Sequence, residues 1–295
     1  MRLCTFQQGG QAAEVGLVDG ELVYPVQRCW PGLLDSRQPM LDLIERWVDL
    51  RGQLQALPSS DQALRLDQVH LLAPVPRPGK VLGIGLNYVE HVNEQIVGET
   101  REVPQHQVWF TKLVTAVNGP FDPIVLPDPQ VSDMVDYEAE LVVIIGQRCK
   151  HVPRERAHEV IFGYCVGNDV SVRDWQKRTP QWMLGKSFDT HAPFGPWITT
   201  SDAVADPHAL SLRGWVNGEL RQSSHTSLMI FNIWDQIAHL SQAMTLEPGD
   251  VIYTGTCSGV GAAFKPPKFL QPGDQVRMEV EGLGAIEAPC VRERS

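Results

Sequence analysis

The residues with most capacity for chemistry lie at 136–140. Asp136-Tyr137-Glu138-Ala139-Glu140 sets acids at alternate positions directly before Leu141-Val142-Val143-Ile144-Ile145. In an extended strand alternate side chains share a face, so Asp136, Glu138 and Glu140 are expected to point one way. Three like charges entering a core repel one another and are costly to bury. Something positive must compensate, either a basic side chain or a divalent cation. The apolar run that follows predicts a strand buried on both faces, which favours the cation. Asp169, in Gly167-Asn168-Asp169, ends a strand-like segment and could complete a three-carboxylate set. Hard oxygen ligands of this kind select Mg²⁺, Mn²⁺ or Ca²⁺ over zinc. They would leave about three octahedral positions for water and a chelating substrate.

A second candidate lies in Gly85-Leu86-Asn87-Tyr88-Val89-Glu90-His91-Val92-Asn93-Glu94. If the chain is helical after Tyr88, His91 and Glu94 stand at i, i+3 and touch. A carboxylate against an imidazole raises its basicity and fixes its orientation, as a general base requires. Other patterns fail on spacing. Gly185-Lys186-Ser187 lacks the earlier glycine of a phosphate-binding loop, because position 180 is Pro180. Gly83-Ile84-Gly85 lacks the third glycine of a dinucleotide fingerprint, and Ser258 lacks the preceding glycine of a nucleophile elbow. His151, His158, His225 and His239 have no partners at metal-ligand spacing.

The elements that must position these groups are mostly short and strand-like. They include Val81–Gly85, Ile124–Leu126, Leu141–Ile145, Trp197–Thr200, Leu212–Val216, Val251–Tyr253 and Val276–Val280. Helical spacing is confined to Met40–Leu54, Pro153–Ile161 and Phe231–Met244. Strands outnumber helices and do not alternate with them, which argues against a doubly wound parallel sheet. Residues 1–70 read as a small N-terminal α+β unit with a hairpin at Asp19-Gly20. Residues 71–80, with Pro74, Pro76 and Pro78, read as a stiff linker to a larger unit over 81–295.

Composition bounds the partners. The chain has 295 residues and a net charge of −10, with 25 basic and 35 acidic residues. That balance excludes a sequence-independent nucleic-acid binder and disfavours docking on anionic lipid. Six cysteines without C-x-x-C spacing predict reduced, mostly packed thiols. The first residues carry no signal-peptide pattern, and no apolar run approaches membrane-spanning length, so a soluble cytoplasmic protein is expected.

Five segments together resemble the fumarylacetoacetate hydrolase family, and especially its small domain-containing proteins. They are Gly85-x-Asn87-Tyr88-x-x-His91-x-x-Glu94, Asp136-x-Glu138-x-Glu140-Leu141, Asn168-Asp169-Val170-Ser171-Val172-Arg173-Asp174-Trp175-Gln176, Gly185-Lys186-Ser187-Phe188-Asp189-Thr190 and Pro248-Gly249-Asp250-Val251-Ile252-Tyr253-Thr254-Gly255-Thr256. They stand in family order over about residues 72–285, and residues 1–70 resemble the family's variable N-terminal domain.

The resemblance implies a β-rich α+β fold, a mixed β-roll, usually assembled as a homodimer. It implies that Glu138, Glu140 and Asp169 hold Mg²⁺ or Mn²⁺. His91 and Glu94 would be the dyad that activates water or moves a proton, on a short segment that orders over bound substrate. Lys186 would meet the substrate or a developing oxyanion. Arg173 and Gln176 would line the site, Thr256 would bind a substrate carboxylate, and Lys112 would act from behind. One departure stands out: Cys257 replaces the proline usual after Thr-Gly-Thr. The implied partner is a small anionic 2-oxo acid. The first expectation for activity is hydrolysis of a C–C bond in 2,4-dioxo acids, of the acylpyruvate or fumarylpyruvate type, through a pyruvate enolate at the metal. The alternative is isomerisation, tautomerisation or decarboxylation of 2-oxo acids such as hydroxymuconate-type diene acids or oxaloacetate.

Overall fold

The computed structural model describes residues 1–34, 36–94 and 102–293. It is β-rich α+β. The central strand is Ala139–Ile145, and every one of its residues is buried. It pairs antiparallel with Ile161–Asn168 on one side and with Val251–Tyr253 on the other. Val251–Tyr253 in turn runs parallel to Val81–Gly85, which pairs with Val108–Lys112. The expected burial on both faces follows from the period of two: Leu141, Val143 and Ile145 enter one core, Val142 and Ile144 another.

The first core lies against a five-stranded sheet that includes Ser211–Val216, Gln275–Val280 and Gly284–Arg292, and against the helix Ile233–Ala243. That helix starts on a reciprocal cap between Asn232 and Asp235. The second core contains the N-terminal helices. Strand Arg2–Gln7 pairs with Ala192–Thr200, so the N-terminal strands extend the edge of the large sheet. The hairpin at Asp19-Gly20 forms as expected, with Glu14–Asp19 against Leu22–Pro25.

Two helical expectations need correction. The stretch 40–54 is broken at Arg46 into Pro39–Glu45 and Trp47–Leu54. The stretch 153–161 is a 3₁₀ helix over Arg154–Val160. Its buried residues are Ala157 and Val160, three apart, which matches three residues per turn rather than 3.6. The six cysteines are all free thiols, and Cys4, Cys165, Cys257 and Cys290 are buried.

The segment after Lys186 is pinned by a buried histidine. His191 is fully buried, stacks on Phe188 and donates through Nε2 to the Val125 carbonyl at 2.9 Å. Burial, reinforced by the Lys112 charge, lowers its pKa from 6.5 to about 3. The unfolded chain therefore takes up a proton below pH 6.5 that the folded chain refuses. Stability is expected to fall as pH drops below that value, by up to ~1.4 kcal/mol per pH unit from this group alone. Denaturant titrations above the carboxylate range should show that His191→Asn loses this part of the slope. An unchanged slope would contradict the assignment.

Candidate active site and metal centre

Glu138, Glu140 and Asp169 meet as the sequence suggested, each offering an oxygen within 4.8 Å of the others. The ladder between Ala139–Ile145 and Ile161–Asn168 brings them there. Glu140 stands opposite Gly167, and the pairing continues past the strand ends. The Asp169 amide donates to the Glu138 carbonyl, and the Glu138 amide donates to Asn168 Oδ1, both at 2.9 Å. Gly167 has to be small, since a Cβ there would come within 2.6 Å of Val142 and Tyr253.

Asp136 does not join them. The strand is interrupted at 137–138, and Asp136 faces elsewhere. It accepts from the amides of Gly261 and Ala262 and from Arg173 Nε at 2.8 Å. The one-face expectation for all three acids fails because a continuous strand is what would enforce it.

Basic side chains supply part of the compensation. Lys186, on the short helix Met183–Lys186, donates to Glu138 at 2.9 Å and Asp169 at 2.6 Å. Lys112 donates to the other oxygen of Asp169 at 2.5 Å and to the Val170 carbonyl. Arg173 bridges Asp136 and Glu138. All these side chains are buried. Burial alone would raise the pKa of Glu138, but Lys186 and Arg173 outweigh it and hold the carboxyl well below its usual range. Burial would discharge Lys186, yet Asp169 and Glu138 keep its pKa high. Lys112, burdened by burial and by Lys186, is shifted downward despite Asp169.

Glu140 is the exception. Its Oε2 accepts from the Gly255 amide at 2.7 Å, and among the described residues no base forms an ion pair with it. Burial, then the charges of Asp169 and Glu138, push its pKa well up. Of the four buried acids Asp136, Glu138, Glu140 and Asp169, Glu140 alone is not paired with Lys112, Arg173 or Lys186. The donor set therefore fits a divalent cation: three hard oxygen donors, one of them on a carboxyl group that no base among the described residues pairs with.

His91 and Glu94 also meet. The turn Val89–Val92 is helical, and His91 Nδ1 lies 2.6 Å from Glu94 Oε2. The other Glu94 oxygen accepts from the Gly259 amide at 2.5 Å. The Gly255 amide, four residues before Gly259, donates to Glu140, so one turn touches both the dyad and the carboxylates.

The remaining expected contacts are mostly engaged within the protein, although Arg173 Nη2 is buried with no hydrogen-bond partner among the described residues. Arg173 Nη1 reaches Gln176 Oε1 at 3.0 Å as well as Glu138, and Asp174 takes Ser132 and Arg178 instead. Thr256 donates to the Ala139 carbonyl and accepts from Gln222 Nε2 at 2.8 Å. Cys257 is buried, with its thiol pushed up to about 12. Its carbonyl accepts from Gln222. Sequence reading missed three contributors. The amides of Gly255 and Gly259 carry no side-chain signal. Gln222 is fully buried between Ala139, Thr256 and Cys257, yet it lies on a strand whose neighbours are partly exposed.

Comparison with known proteins places this arrangement. Residues 80–291 match the model of the fumarylacetoacetate hydrolase C-terminal domain. The chain belongs to the fumarylacetoacetate hydrolase family. The match spans the carboxylates, the dyad and Lys186. Among similar family members, oxaloacetate tautomerase fahd2 of Xenopus laevis, named as mitochondrial, is 42% identical over 99% of this chain and 90% of its own length. The human mitochondrial oxaloacetate tautomerase FAHD2A is 48% identical over 80% of this chain and 72% of its own. Among solved structures, maleylpyruvate hydrolase from Sphingobium, in complex with manganese(II) and pyruvate, superposes with a TM-score of 0.81. It is 35% identical, and both chains are covered completely. A 2-hydroxyhepta-2,4-diene-1,7-dioate isomerase from Mycobacterium marinum superposes at 0.77, with 33% identity over the whole of both chains. Among the described residues no helix is long and apolar enough to cross a membrane. The chain is an enzyme of a family whose members include isomerases, tautomerases and hydrolases.

The uncompensated Glu140 yields a prediction. Glu140→Gln removes a carboxyl group whose ionised form is disfavoured by burial and by Asp169 and Glu138, so the chelator-treated variant should melt no lower than the parent. The rise in melting temperature on adding Mn²⁺ should vanish, since binding to the folded state alone is what produces it. A lower melting point without metal, or an intact Mn²⁺ shift, would refute the reading.

Proposed function

We propose that the chain is a divalent-metal-dependent tautomerase of small 2-oxo dicarboxylic acids, with oxaloacetate as reference substrate. The observation that carries this is the His91–Glu94 pair beside the three-carboxylate cluster. Its choice over hydrolysis is supported by the tautomerase names of relatives 42–48% identical to it. A cation held by Glu138, Glu140 and Asp169, whether Mg²⁺ or Mn²⁺, would polarise the 2-oxo group and offset charge arising on its oxygen.

The protein's own groups do the rest. Glu94, fixed by the Gly259 amide, accepts the Nδ1–H of His91 and leaves Nε2 as the basic atom. His91 takes a proton from C3 as the C2–C3 double bond forms. Lys186 donates to the 2-oxygen as that oxygen gains charge. Protonation of the oxygen gives the enol, and the reverse sequence gives the ketone. Arg173, Gln176 and Thr256 shape the surrounding wall. The homodimer, the cytoplasmic setting and the absence of nucleic-acid or membrane partners belong to this same proposal.

A second reading has its own support in the whole-chain likeness to maleylpyruvate hydrolase. There the same imidazole activates water against the 4-carbonyl of a 2,4-dioxo acid, and pyruvate leaves as its enolate.

Both readings are tested with oxaloacetate and acetylpyruvate. With Mn²⁺ the enzyme should speed the keto–enol interconversion of oxaloacetate, followed by enol absorbance, and chelator should abolish the effect. His91→Ala should cost about 10²–10⁴-fold in rate. Rapid cleavage of acetylpyruvate without tautomerisation would hand the assignment to the hydrolase reading. Full activity in chelator would remove the metal from both.

A further inference from the structure

The segment that carries the dyad is poorly held by itself. Val89–Val92 is a single helical turn, too short to be stable alone. Leu86, just before it, has φ of 56°, in the left-handed region that a leucine avoids unless its surroundings impose it. Something outside this segment sets where His91 sits.

Asn87 is the side chain in place to do so. It is fully buried. Its Nδ2 donates to the Thr254 carbonyl at 2.7 Å and to the Phe231 carbonyl at 3.0 Å, and its Oδ1 accepts from the Phe231 amide at 2.8 Å. One amide thus fills both donors and an acceptor across three chain segments. Gly255 makes room for it: φ is 98°, and a Cβ there would lie 2.6 Å from Asn87 Cβ.

The turn that Asn87 grips is the one that touches both halves of the site. Gly255 donates to Glu140, and Gly259 donates to Glu94. That turn is anchored independently, because the Thr254 amide and hydroxyl both donate to the Leu141 carbonyl on the central strand. The carboxylates are likewise fixed by the strand ladder. The dyad segment is joined to this frame through Glu94 and the Gly259 amide, the Ile230 amide on the Asn87 carbonyl and the Tyr88–Met229 bridge, and the Asn87 carboxamide is the side chain that binds it to both Thr254 and Phe231.

We infer that Asn87 is a positioning residue: its carboxamide sets the placement of the His91–Glu94 dyad relative to the metal-binding carboxylates. Its carboxamide is spent on the backbone of Thr254 and Phe231. The inference deepens the proposed function and rests on it for the catalytic consequence, though not for the structural one.

The experiment compares Asn87→Ala, Asn87→Asp and the parent, with Leu43→Ala in the helix Pro39–Glu45 as a remote core variant that loses stability for unrelated reasons. In Asn87→Ala, kcat should fall about 100-fold, as expected for an ångström-scale displacement of a catalytic group. KM and the Mn²⁺ dissociation constant should stay within about threefold, because the carboxylates are held elsewhere. Asp is isosteric with Asn but offers at most one donor, and only when protonated, in place of the two used here, so Asn87→Asp should not rescue kcat. Rescue by Asp would show packing alone at work and overturn the inference. Leu43→Ala should keep kcat once folded, and an equal loss there would also overturn it.

Hydrogen exchange supplies a readout independent of turnover. The amides of Val92 and Asn93, bonded to Tyr88 and Val89, should exchange about tenfold faster in Asn87→Ala, with those of Ala139–Ile145 unchanged. If exchange there is unaltered, the inference fails. If the parent turns over neither oxaloacetate nor acetylpyruvate while exchange responds as expected, the proposed function fails and the positioning role stands.

Discussion

The molecule is organised around a buried cluster of carboxyl groups. Glu138, Glu140 and Asp169 converge in the interior, and two lysines and an arginine neutralise most of that cluster while sparing Glu140. Removing carboxylates from water is costly, and the cost is met only where hydrogen bonds and opposite charges are placed in advance. The sheet supplies that placement. Adjacent strands hold Glu140 and Asp169 in fixed register, and packed cores on both faces prevent the strands from shifting to relieve the repulsion.

The same constraint explains why the positive side chains are buried. Lys112 ends one strand and Lys186 ends a short helix, and both reach Asp169, one on each oxygen. With its two oxygens claimed, Asp169 is oriented before any ligand arrives. Arg173 links the cluster to Asp136, and through it to the amides of 261 and 262. A site built this way is rigid on its acidic side. The dyad stands on a short helical turn and is held by contacts from the neighbouring turn, through the Gly259 amide on Glu94.

Catalytic diversity in the family fits the same picture. Tautomerisation, isomerisation and C–C hydrolysis of 2-oxo acids all require charge to be stabilised at the 2-oxygen and a proton to be moved nearby. In the proposed function the carboxylates, Lys186 and the His91–Glu94 pair would meet those shared needs. Selectivity among the reactions then rests on the walls around the substrate's far end, where hydrophobic and polar contacts discriminate between related molecules.

What the sequence determined by itself was the chemical inventory and the local elements that carry it. Alternating acids before a β-branched run, a His and a Glu three apart, and the Asp-Gly hairpin are encoded at short range, where side-chain period and turn chemistry act directly. The β-rich architecture and the family followed from the same local segments. Tertiary structure alone decided which groups face one another. Asp136 left the cluster because the strand breaks after it, which no alternation pattern reveals. Arg173 went to Asp136 and Glu138 rather than to its neighbour Asp174 because a buried guanidinium needs buried carboxylates to offset its desolvation, and Asp174 lies outside that cluster. The backbone amides of Gly255 and Gly259, and the span from Asn87 to Thr254, have no signature in residue type. Their roles arise from long-range contacts, which exist only once the sheet has closed and its cores have packed.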